Sequence, residues 1–156
     1  MQNGGFVNGF APWTLSDVVG AISGPAPNNA AGQEQDGDGW HIDSLLSGTA
    51  RWSVVQTNVI IPSGTTVLCS AWAFDTGGGV RADTITIDGF QCGSTGTGSA
   101  NNWGQFGNGP LIVEGDSHTV VVRMSAIVSG APNRIRLDNV QVGAFLPPPG
   151  RQFCSV

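Results

Sequence analysis

Asn3-Gly4-Gly5-Phe6, with Pro12-Trp13 shortly after it, and Arg136-Leu137-Asp138-Asn139-Val140 are the stretches whose reading decides the fold. They stand at the two ends of the chain. Between them nearly every regular segment alternates apolar and polar residues with period two, which is the pattern of half-buried strands. An all-β, antiparallel β-sandwich follows, with its two ends meeting as neighbouring strands. Such a domain is expected to bind or to build rather than to catalyse.

Working inward, Ala11 to Ala21 carries Trp13, Leu15 and Val18 and reads as an early strand. Residues 23 to 39 read as loop, because Ser23-Gly24-Pro25-Ala26-Pro27-Asn28-Asn29 is turn chemistry and Gln35-Asp36-Gly37-Asp38-Gly39 continues it. Trp40 to Leu46 and Arg51 to Ile61 are further strands, the latter closed by the turn Pro62-Ser63-Gly64. Thr65 to Phe74 is expected to pair back on it. There Val67, Cys69, Ala71 and Ala73 fall on one face, and Leu68, Ser70, Trp72 and Phe74 on the other. Asp83 to Ile87 alternates strictly. Residues 93 to 109 form a low-complexity loop, and long loops inside compact domains usually carry function or lack order. Thr119 to Val128 and Arg134 to Ala144 are the last strands, joined by Ser129-Gly130-Ala131-Pro132-Asn133. No segment shows helical periodicity. Residues 1–145 make one sandwich, and residues 146–156 leave it as an extended, proline-rich arm through Pro147, Pro148 and Pro149 to Phe153, serving as a linker or reaching a neighbouring subunit.

Composition removes several functions. The 156 residues include 24 Gly, and only 11% are charged, which suits many short strands and tight turns. All six basic residues are Arg, spread thinly among 11 acids, and the formal charge is −5. No basic stripe exists to neutralise phosphates, so nucleic acid is not an expected partner. The absence of Lys removes Schiff-base and P-loop chemistry. No run approaches the ~20 apolar residues of a membrane helix, so no membrane partner is expected. Residues 1 to 15 lack the basic start and apolar run of a signal peptide. No Asn stands in a glycosylation sequon.

Three cysteines leave one unpaired in any intramolecular scheme, with Cys69–Cys92, Cys69–Cys154 and Cys92–Cys154 the possible bridges. Cys69 with Cys92 is slightly favoured, as both occupy strand-like positions. Three buried thiols fit about as well.

Beyond the two end signatures, the strand Ser53-Val54-Val55-Gln56, Gly64-Thr65-Thr66-Val67-Leu68 leading into Ala71-Trp72-Ala73, and Leu137-Asp138-Asn139-Val140 bear on the family. Together they resemble the jelly-roll carbohydrate-binding modules of families 4, 9 and 22, over nearly the whole chain. The resemblance implies a jelly roll of about eight to ten strands with a concave, sugar-binding face. Glycan sites need flat rings to stack on pyranose faces and amides or carboxylates to bond hydroxyls. Trp72 and Phe74 are therefore either stacking platforms or core packing beneath the long loop. Asn101, Asn102, Trp103, Gln105 and Phe106 offer the same chemistry from that loop, toward a glycan or another subunit. Trp13, Trp40 and Trp52 read as core.

The resemblance also implies a structural calcium between the amino-terminal motif and the late Asp, here through Asn3 and Asp138. This chain departs from the pattern at Val7 and Asn139, where acids are usual. Asp36-Gly37-Asp38-Gly39 lacks the later ligands of an EF-hand loop and reads as a solvated turn. No other cofactor is implied.

Gly115-Asp116-Ser117-His118 echoes a serine hydrolase motif, but no strand-to-helix elbow surrounds it and it reads as a hairpin turn. His41 and His118 are the only histidines, without zinc spacing. Three roles fit a non-enzymatic jelly roll of this kind. It could be a decoration or tail protein on a bacteriophage virion, or part of a similar assembly, with protein subunits as partners. It could be the secreted binding module of a polysaccharide-degrading enzyme. It could be a stand-alone lectin or adhesin. Location is accordingly a virion surface or the extracellular space.

Overall fold

Alternating apolar residues can bury only one face of a strand, so two sheets must close on each other. The protein, seen in a computed structural model, is described at residues 11–19, 21–27, 40–75, 80–96 and 101–145. It is an antiparallel β-sandwich, and the described residues contain no helix. The strands are β1 (Thr14–Val19), β2 (Ala21–Pro27), β3 (Trp40–Ile60), β4 (Thr66–Asp75), β5 (Val80–Arg81), β6 (Thr84–Ile87), β7 (Phe90–Gln91), β8 (Trp103–Ile112) and β9 (Ser117–Ala144).

Two long strands pass through both layers. The second half of β3 pairs with β1 and with the first half of β9, which in turn pairs with β5 and β6. The first half of β3 pairs with β2 and with the second half of β9, which continues the other layer through β4 to β8.

The core between the layers follows the alternation. Trp52, Val54, Ile85, Ile87, Val120, Val122 and Met124 come from one layer, and Val67, Cys69, Ala71, Ala73, Phe106, Ile135 and Leu137 from the other. All are essentially buried, each burial contributing up to about 3 kcal/mol for the larger side chains. Trp13 and Trp52 are core residues as expected.

Three expectations are corrected. β4 does not pair with β3 but crosses to the other layer, between β9 and β8. Residues 23–27, expected as loop, belong to a strand, Ala21–Pro27, on the edge of β3, where Pro is tolerated because an edge strand need not donate on both sides. The stretch 129–133 does not separate two strands, since β9 runs unbroken from Ser117 to Ala144 as it changes layer. Pro12-Trp13, the described part of the amino-terminal signature, leads into β1, which pairs with β3. Asn3-Gly4-Gly5-Phe6, Asp36 to Gly39 and the arm with Pro147, Pro148, Pro149, Phe153 and Cys154 lie outside the described residues.

A Cys69–Cys92 disulfide ties β4 to the segment leaving β7. Cys92 is held there by its backbone N–H, which donates to the carbonyl of Ile85 at 2.8 Å. The bond therefore links the two layers covalently. Gly107 stands beside it with φ +90°, and a Cβ there would lie 2.5 Å from the carbonyl oxygen of Cys69, so only glycine fits.

Candidate functional site

Residues paired across antiparallel strands share a face, so the outer surface of the β8–β4–β9 sheet can be read row by row. In the first row Trp103 pairs with Phe74, and Phe74 with Arg136. The Phe74 and Trp103 rings lie 5.5 Å apart at 51°, and the Arg136 guanidinium carbon is 5.1 Å from the centre of the Phe74 ring. These are the distances of a tilted aromatic pair and a cation–π contact. The second row is Gln105, Trp72 and Asp138. The third is Gly107, Ser70 and Gln141.

Small residues in the third row leave a furrow beside the rings. It encloses about 650 Å³ and is lined by Leu68 and Ser70 of β4, Gln105 and Asn108 of β8, and residues 139–144 of β9. Its polar edge consists of amides: Gln105, Asn108 and Gln141 are exposed, and Gln141 Nε2 donates to Asn139 Oδ1 at 2.7 Å. No ionisable side chain is present in this lining, because Cys69 is bonded to Cys92.

Two bulges put these amides where they are. Between Ser70 and Trp72 the β4–β9 register shifts, and Asn139 takes φ 47°. An inserted residue reverses the alternation: Arg136 and Asp138, opposite Phe74 and Trp72 and both buried, hold the outer register before it, and the exposed Gln141 holds it after. A second shift between Leu68 and Ser70, with Asn108 at φ 60°, does the same to β8. Asn is among the few side chains that accept this backbone region readily.

Of the residues singled out by sequence, Trp72, Phe74, Trp103 and Gln105 share this face, and all three rings are half-buried. Asn101 and Asn102 are exposed in the turn that leads into β8. Phe106 is corrected: it is 1% exposed in the core, because it is one step out of phase with Gln105 on a strand, not part of a loop. Asp138 is fully buried, and its Oδ1 accepts the backbone N–H of Asn139 at 2.7 Å. Among the described residues no group of three or more His, Cys, Asp or Glu side chains could hold a metal, and Asn3 lies outside them. Arg136, Ser70, Asn108, Asn139 and Gln141 were missed. Strict alternation along the last strand points to Arg136; Gln141 is hidden by the bulge.

A second, smaller depression of about 340 Å³ lies at one end of the sandwich, with Asp88, Phe90, Ile112 and Glu114 among its lining residues.

No family model and no curated protein sequence matches this chain. Solved structures do. A family 61 carbohydrate-binding module in complex with β-1,4-galactotriose superposes over 93% of this chain and 97% of its own, at 19% identity and a TM-score of 0.67. The family 22 and catalytic modules of Clostridium thermocellum endo-1,4-β-D-xylanase 10B, complexed with xylohexaose, cover 95% of this chain and 28% of their own, at 11% identity and 0.60. The enzymatically active domain of tailspike protein 4 from bacteriophage CBA120 covers 93% of this chain at 15% identity and 0.63, with 21% of its own length matched. The fold is thus the jelly roll of carbohydrate-binding modules, as the end signatures imply.

Proposed function

We propose that this chain is a non-catalytic glycan-binding module that holds a saccharide chain along the outer face of the β8–β4–β9 sheet. The observation that carries the reading is the adjacency of Trp72, Phe74 and Trp103 to a furrow edged by Gln105, Asn108 and Gln141. Rings stack on the apolar faces of sugar rings, and amides donate to and accept from hydroxyls. Its fold is shared with modules solved in complex with saccharides. Glycoside hydrolysis needs two carboxyl groups about 5–9.5 Å apart across the bond. The furrow offers amides instead.

The setting we propose is an extracellular or virion surface, with residues 1–145 as the binding domain and the arm from Pro147 to Phe153 as the contact with neighbouring subunits. The Cys69–Cys92 bond supports an oxidising compartment, and a phage tailspike domain shares the fold. Titration calorimetry with β-1,4-galactotriose and xylohexaose, alongside a wider glycan panel, tests the binding. Binding that weakens about tenfold in Trp72→Ala, or ~1.4 kcal/mol, supports it. Absence of binding to every glycan overturns it. Truncation after Phe145 tests the arm: particle assembly should fail while the domain still folds, and unchanged assembly would remove the arm from the proposal.

A further inference from the structure

His118, the second residue of β9, has a fully enclosed ring, with 0% of its side chain exposed. Three turns converge on it. Nδ1 lies 2.6 Å from Asp88 Oδ2, in the tight turn between β6 and β7. Nε2 lies 3.0 Å from the carbonyl oxygen of Ile61, just past β3, and 3.0 Å from that of Gly115, in the turn before β9. All three partners are acceptors. Neutral imidazole carries a single N–H, so either tautomer would set a nitrogen lone pair against an oxygen. The imidazolium, with an N–H on each nitrogen, satisfies all three contacts.

We infer that His118 is a buried imidazolium clamp that fastens the three turns at this end of the sandwich and releases them when its proton is removed. Asp88 is built for its half of the clamp. Asp88 and Gly89 take φ 52° and 86° between β6 and β7, as a two-residue hairpin turn requires, which aims the carboxylate at β9. Its Oδ1 accepts the Thr119 backbone N–H at 2.8 Å, leaving Oδ2 for His118. The turn after β3 brings no titratable group, only the Ile61 carbonyl and then Pro62 and Ser63. The turn before β9 brings the exposed Glu114 and Asp116, and Asp116 Oδ1 accepts the Ser63 backbone N–H at 2.9 Å, fastening the same two turns a second time. Asp88 is therefore the single carboxylate in contact with the ring among the described residues.

The hydrogen bond to Asp88 raises the His118 pKa above 6.5, against the opposing effect of burial. The Thr119 N–H, and then His118, lower that of Asp88 below 3.8. For His118, stability is fully present below 6.5 and lost as pH rises through the raised value. For Asp88, it is present above 3.8 and lost as pH falls through the lowered value. The clamp thus holds between the lowered Asp88 value and the raised His118 value, and opens as pH rises through the latter. Asp88 and Glu114 also line the 340 Å³ depression, so opening the clamp alters that end of the molecule first.

The direct experiment is ¹⁵N NMR of the histidine ring nitrogens in the full chain between about pH 5 and pH 10, with thermal melts over the same range. His118→Gln identifies which signal belongs to His118 rather than His41. The expected result is a ring that is doubly protonated below a titration midpoint above 6.5, and a melting temperature that falls through that midpoint. In Asp88→Asn the midpoint moves down, and in His118→Gln the alkaline fall is lost. A His118 ring that titrates at or below 6.5 in the folded wild-type protein overturns the inference. So does a midpoint unmoved by Asp88→Asn.

Discussion

The outer faces of the two sheets are built on one alternating pattern and one shared core, yet they present opposite chemistry. On the β1–β3–β9–β6 layer the outward register includes Thr14, Ser16, Arg51, Ser53, Val55, Thr84, Thr86, Val121, Arg123 and Ser125, with Ser53 itself buried. That face carries mostly short side chains, the exposed Arg51 and an exposed ion pair, Arg123 to Asp17 at 3.2 Å, and none of those positions holds an aromatic ring. On the β8–β4–β9 layer the same alternation places Trp103, Phe74 and Trp72 outward, beside a furrow. The fold leaves outward positions free: stability uses the inward residues of both layers, and the proposed saccharide site occupies one outer face.

Removing what both faces share has the largest expected effect. Phe106→Ala empties a core site and should cost about 3–5 kcal/mol in denaturant unfolding, abolishing the two faces together. Reducing Cys69–Cys92, or Cys92→Ser, should cost about 2–5 kcal/mol by freeing the link between layers, read as a lower unfolding midpoint. Changes confined to one outer face separate the two. Ser70→Trp fills the furrow without entering the core, and glycan binding should be lost while the melting temperature holds. Trp72→Ala should weaken binding about tenfold with a smaller effect on stability than Phe106→Ala, because its ring is only half-buried. Arg123→Ala, on the other face, breaks an exposed pair and should change stability by less than about 1 kcal/mol and binding not at all.

The two faces were not equally legible in sequence. Val67, Cys69, Ala71 and Ala73 against Leu68, Ser70, Trp72 and Phe74 is an uninterrupted alternation, and the structure keeps it throughout β4. Strand pairing was less legible, because period two states which face is buried but not which neighbour buries it; hence β4 joins β8 and β9 rather than β3. Phe106 was misplaced because the glycines around it, Gly104 and Gly107, look like loop. They are in fact strand positions, and Gly107 is required by the close approach to Cys69. Gln141 was hidden by the bulge at Asn139, since one inserted residue reverses the outward phase and nothing in the local composition announces it. His118 was read as part of a hairpin turn, and its three acceptors come from residues 3 to 57 positions away.

The measurement that bears most directly on which face recognises saccharides is chemical-shift mapping of ¹⁵N-labelled protein titrated with a bound oligosaccharide. The assignment to the β8–β4–β9 face predicts shifts at the Trp72 and Trp103 indole N–H groups and at the Gln105 and Gln141 side-chain amides, with Thr86 and Arg123 unmoved. Shifts clustered on Thr86, Arg123 and their neighbours, with both indoles silent, would contradict it.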